Sequence, residues 1–93
     1  MIVSFDGKET ELVWRGAFSR RLPRDIQKTA LRKLRMLNNA KRSHDLIVPP
    51  NNHLEALKGN RAGQHSIRVN DRCRICFVWT KGGPAHAEIV DYH

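Results

Sequence analysis

The sequence predicts an α+β domain in which two N-terminal helices pack on one face of an antiparallel sheet. Three observations predict it. Apolar side chains recur at helical spacing between residues 24 and 41, they alternate in the last third of the chain, and tight turns separate the alternating runs. Successive strands joined by tight turns pair antiparallel. Helices ahead of such a meander bury their apolar stripes against one of its faces. With 93 residues, the chain suffices for one domain and one core, spanning 1–93.

The elements follow in order. Ile2 and Ser4 alternate with Val3 and Phe5, a short first strand that Asp6-Gly7 ends. Lys8 to about Ala17 reads as a short helix, with Leu12, Val13 and Trp14 on its apolar side and Gly16 weakening its end. Ser19 to Arg21 is a basic turn, and Pro23 suits the first turn of the next helix, where its missing N–H is an orphan donor anyway. From Arg24 to about Lys41, Ile26, Ala30, Leu34 and Leu37 form a stripe that Leu31 widens. Pro49-Pro50-Asn51-Asn52 stops the helix and makes a loop, and Gly59 and Gly63 flank Lys58 to Arg61 in a segment suited to tight turns near a bound anion.

The last third is β. Ile67 and Val69 oppose Ser66 and Arg68. After the turn Asn70-Asp71-Arg72, Ile75, Phe77 and Trp79 oppose Arg74, Cys76 and Val78. Lys81-Gly82-Gly83-Pro84 is a second turn, and Ala85 to Tyr92 is a third strand of mixed pattern. The apolar sides pack on the helices, so Arg68 and Arg74 share the opposite, open face.

Charge narrows the function. Seventeen Lys and Arg against nine Asp and Glu leave +8, with a pI near 10.4. Such a balance points to a polyanion: nucleic acid, an anionic membrane surface or an acidic protein. No apolar run approaches the roughly 18 residues of a membrane span, and the start lacks a basic stretch leading into an apolar one, so no secretory leader is expected. The expectation is a cytoplasmic protein that makes no membrane contact. Cys73 and Cys76 sit three apart on a strand, facing opposite sides, and read as two reduced thiols. His44, His53, His65 and His86 show no metal spacing, and no cofactor motif is present, so neither metal nor cofactor is expected.

The candidate chemistry lies on the open face. Arg68, Arg74, Lys58 and Arg61 gather there, and the last strand brings Asp91, Tyr92 and His93 near the end of the same sheet. RNA cleavage needs a base for the 2′-hydroxyl, cations for the phosphorane and an acid for the departing 5′-oxygen. Arg74 and Arg61 can clamp a phosphate. His93, Tyr92, Asp91 and Lys58 can titrate. Lys28, Arg32 and Arg35, spaced four and three apart, form a row on the long helix that suits either a solvated face or a grip on phosphates. Basic α+β domains also serve as plain nucleic-acid binders.

Met1-Ile-x-Ser-Phe, Leu57-Lys58-Gly59-Asn60-Arg61-x-Gly63, Ser66-Ile67-Arg68-Val69, Arg74-Ile75-x-Phe77 and the ending Asp91-Tyr92-His93 together resemble the HigB toxins of the RelE/ParE superfamily of toxin–antitoxin systems. The resemblance spans almost the whole chain. It implies a RelE-like, microbial-ribonuclease-like fold and metal-independent cleavage of messenger RNA in the ribosomal A site, amid ribosomal RNA. It also implies a HigA-type helix-turn-helix antitoxin that neutralises the toxin and carries the complex to its operator DNA. By this resemblance Arg74 contacts the phosphate, Asp91, Tyr92 and His93 form the catalytic end, and Lys58 and Arg61 line the site. Where a related member has a catalytic His two residues before the Leu-Lys-Gly run, this chain has Glu55, a candidate base. A ParE-like gyrase inhibitor, which keeps the fold without the RNA-cutting groups, is the alternative.

Overall fold

In the computed structural model, which describes residues 1–91, the chain is an α+β fold of two helices and one four-stranded antiparallel sheet. Helix α1 spans Lys8–Trp14 and α2 spans Gln27–Asn39, preceded by a 3-10 turn at Arg24–Ile26. The strands are β1 (Glu55–Ala56), β2 (His65–Arg68), β3 (Cys73–Thr80) and β4 (Gly83–Asp91), paired in that order.

Both helices are shorter than the periodicity predicts, for local reasons. Gly16 adopts φ +83°, a left-handed turn that costs glycine little and closes α1. The amides of Gly16 and Ala17 then donate to the carbonyls of Val13 and Leu12, at 2.9 Å each. Pro23 sits just before the 3-10 turn, so regular α-helix begins only at Gln27. The Gln27 side chain bonds back to the connection: its Nε2 donates to the Ser19 carbonyl at 2.7 Å, and its Oε1 accepts from the Ser19 amide at 2.9 Å.

The core lies between the helices and one face of the sheet. Val13, Ala30, Leu34 and Leu37 meet Ile67, Ile75, Phe77, Ala87 and Ile89, all buried. Asn70 shapes the β2–β3 turn, its side-chain oxygen accepting from the amides of Arg72 and Cys73 at 2.9 and 2.7 Å. In the β3–β4 turn Gly83 has φ +125°, and a Cβ there would run into the Met1 carbonyl.

Two parts of the sheet differ from expectation. The N-terminal segment is not a strand: Phe5 makes a single parallel bridge to Ala87, with Val3 N bonded to Pro84 O at 2.7 Å and Ala87 N to Ser4 O at 3.0 Å. β4 is irregular at this point. Cys76 pairs with Glu88 and Val78 with Ala85, so His86 and Ala87 together oppose Phe77, and His86 takes φ +54°. This bulge interrupts the edge a regular strand would need, and it explains the mixed pattern of the last strand. The second difference is β1. Two residues inside the expected loop pair with β2, Glu55 opposite Ser66 and Ala56 opposite His65.

Candidate functional site

Arg74 sits at the centre of the second face of the sheet. Alternation along β3 sends Ile75 into the core and Arg74 to the other side, and the register sets Arg74 opposite Arg68 on β2 and Val90 on β4. Its guanidinium is fixed at two corners. Nε donates to Ser66 Oγ at 2.6 Å, and one terminal nitrogen donates to the His53 carbonyl at 2.6 Å. The same nitrogen lies 3.4 Å from the Ser66 carbonyl. The other terminal nitrogen has no acceptor among the described residues.

The neighbours extend this cationic face. Arg68 is paired to Asp71 across the β2–β3 turn. Arg61, at the end of the 3-10 turn Gly59–Arg61, reaches Gln64 Oε1 at 3.0 Å and Glu88 at 3.6 Å. Lys58 precedes that turn and is exposed. Glu55, also exposed, stands directly opposite Ser66, and directly opposed residues carry their Cβ atoms on one face about 4.5–5.5 Å apart. A carboxylate thus stands next to the serine that holds Arg74. The face is not bare, because Ser66 and Cys76 are both fully buried.

The remaining candidates lie elsewhere. Asp91 pairs with Cys73, which belongs to the core, so alternation directs Asp91 towards the helix side rather than towards Arg74. It accepts from Arg72 at 3.3 Å. Tyr92 and His93 lie outside the described residues. Lys28, Arg32 and Arg35 are exposed on α2, in the other layer of the fold, and line a shallow cleft of about 370 Å³ with Thr29 and Leu31. Cys73 and Cys76 are buried on opposite faces and form no disulfide. Burial, then the nearby Asp91 carboxylate, pushes the Cys73 thiol up from its ordinary range. Among the described residues no helix is long and apolar enough to cross a membrane.

Several participants escape the sequence reading: Ser66 and the His53 carbonyl, which hold Arg74, and Lys33 and Asn52 behind them. Lys33 is 4% exposed, and its ammonium donates to Asn52 Oδ1 at 2.6 Å. Burial, then the charges of Arg32 and Arg68, hold its pKa below the usual lysine range. One signal was available. Lys33 lies three residues after Ala30 and four before Leu37, inside the apolar stripe, where a lysine is out of place.

Fold and site together define a class: a small basic α+β protein whose sheet face carries arginines fixed by their own neighbours. A profile described as the RelE-like toxin of the type II toxin–antitoxin system HigB matches residues 6–93, and the chain belongs to that HigB-like toxin family. It is 43% identical over 63 residues to "Toxin HigB-1" of Vibrio cholerae serotype O1, covering 68% of this chain and 66% of that protein. An uncharacterized protein of Haemophilus influenzae is 37% identical over 59 residues, 63% of this chain and 58% of its own length. The chain thus spans less than two thirds of each of these relatives.

Proposed function

We propose that this protein is a ribosome-dependent endoribonuclease that cuts messenger RNA in the A site and arrests translation and growth. The observation that carries the reading is Arg74, fixed by Ser66 and the His53 carbonyl on a face shared with Arg68. A cation held rigidly before the substrate arrives needs no reorganisation as charge develops on the phosphorane, which is where such a group accelerates a reaction most.

The 2′-hydroxyl of the RNA is itself the nucleophile, so the protein has to supply a base, an acid and positive charge. Arg74 takes the non-bridging phosphate oxygens, and Arg61 and Lys58 hold the flanking backbone. Glu55, beside Ser66, is the carboxylate best placed to accept the 2′-proton. Asp91, Tyr92 and His93 supply the remaining titratable groups, His93 as the candidate acid on the 5′-oxygen. These groups complete an acid–base reaction without a metal. Membership of the HigB-like family supports a cognate helix-turn-helix antitoxin of the HigA kind, which would bring operator DNA to the complex, and a cytoplasmic site of action. Residues 1–93 act in this reading as one domain.

Brief induction followed by primer-extension mapping of transcripts, with and without ribosomes, tests the proposal. Cuts confined to translated codons, dependent on ribosomes, insensitive to chelators and leaving 2′,3′-cyclic phosphate ends are the expected result. Intact transcripts accompanied by DNA damage would refute it in favour of gyrase poisoning.

A further inference from the structure

The buried lysine of α2 has no place in the reaction just described, and its surroundings indicate why it is there. Lys33 has no carboxylate within ion-pair distance among the described residues, and Arg32 and Arg68 add positive charge near it. An ammonium in such a position is costly to bury, and an apolar side chain of similar volume would pack there at lower cost. What the ammonium does is grip Asn52 Oδ1.

Asn52 is itself fully buried, and its amide nitrogen lies 3.1 Å from the Leu46 carbonyl and 3.5 Å from that of Val48. The next residue is His53, whose backbone is left-handed at φ +46°. A non-glycine residue keeps that conformation only where its surroundings fix it. The carbonyl presented by this turn is the one that accepts from Arg74 at 2.6 Å. A continuous path therefore runs from Lys33 on the helix layer, through Asn52, to the carbonyl that sets one corner of the Arg74 guanidinium on the far side of the sheet.

We propose that Lys33 is a positioning residue for Arg74: by clamping Asn52 it holds the His53 carbonyl in place and so orients the phosphate-binding guanidinium. This rests on the reading of Arg74 as the phosphate contact. Lys33 touches no substrate. It acts only through the geometry of Arg74, so its loss lowers turnover more than binding.

The test uses the full chain with Lys33→Met, Lys33→Gln and Arg74→Ala. Hydrogen exchange at the terminal Arg74 guanidinium N–H that donates to the His53 carbonyl, followed by NMR, reports the clamp directly, and ribosome-programmed messenger RNA cleavage reports its consequence. In folded Lys33→Met, exchange of that terminal N–H is expected to rise about tenfold or more. kcat is expected to fall on the order of 100-fold with KM little changed, the cost of a small displacement of a catalytic group. Lys33→Gln, one atom shorter but still a donor, recovers part of both. Should Lys33→Met fail to fold, Lys33→Gln decides by the same exchange measurement, where a wild-type rate overturns the proposal and a raised rate supports it. A folded Lys33→Met with wild-type exchange and wild-type kcat overturns the positioning role. Full cleavage by Arg74→Ala would instead remove the functional reading, and the exchange rates alone would then decide whether Lys33 positions Arg74.

Discussion

The arginines of the sheet and the cations of α2 carry the same charge but are held in opposite ways. Arg61, Arg68 and Arg74 are each tied to a protein acceptor: Arg61 to Gln64 and Glu88, Arg68 to Asp71, Arg74 to Ser66 and His53. Lys28, Arg32 and Arg35 make no ion pair or side-chain hydrogen bond among the described residues and stand exposed on the outer side of a helix. A tied cation has lost its rotamer freedom before the ligand arrives and can stabilise a transition state at little further cost. An untied cation still has that entropy to lose, and contributes mainly a long-range, salt-screened attraction. On the proposed function, the difference would place chemistry on the sheet face and encounter on the helix.

The sharpest way to break this comparison is to remove the most tightly tied cation. Arg74→Ala is expected to lower cleavage by about 10²–10³, the usual effect of deleting one preorganised donor to a developing oxyanion, and to relieve growth arrest while the fold persists. Arg74→Lys keeps the charge without the planar fork and is expected to recover little. Single-turnover cleavage on programmed ribosomes, with circular dichroism as the check on folding, measures both. Near-normal cleavage by Arg74→Ala would show that being tied confers no catalytic role.

Carboxylates provide the next contrast. Glu55 is exposed beside the serine that holds Arg74, whereas Asp91 is bound to Arg72 and directed to the helix side. Glu55→Gln is expected to cost about 100-fold in kcat, the lower end for a general base. Asp91→Asn is expected to cost less. The kcat values of the two variants on the same ribosomal substrate decide the order, and the reverse order would move the base to the end of β4.

How far these assignments could be read from sequence depended on how local their causes were. Alternation in β2 and β3 placed Arg68 and Arg74 together on the face away from the helices, and the register agrees. The helical stripe of α2 identified Ala30, Leu34 and Leu37 as core. β1 was illegible because two residues carry no period, and Glu55 is a strand residue only through its partner Ser66. The expected first strand failed for a non-local reason too: the bulge at His86 and Ala87 leaves Phe5 a single bridge. The His53 carbonyl that orients Arg74 was hidden because a backbone acceptor has no side-chain signature at all. Tyr92 and His93, the most suggestive ending in the sequence, fall outside the described residues, and their role rests on the family resemblance.

The untied row supplies the smallest expected effect and the cleanest separation. Converting Lys28, Arg32 and Arg35 together to Gln leaves the buried stripe of α2 intact, since all three side chains are exposed, and glutamine is nearly as good a helix former. If the row acts through encounter, kcat at saturating ribosomes stays within about twofold of wild type, because no transition-state contact is lost. The apparent affinity falls, and its dependence on salt weakens by about 0.7–0.9 in log–log slope for each cation that met a phosphate. Titrating ribosome binding from low to high salt, alongside kcat, tests both halves. A fall in kcat with an unchanged salt slope would mean that these side chains become fixed in the bound state and act as the sheet arginines do. The distinction between tied and untied cations would then describe only the free protein.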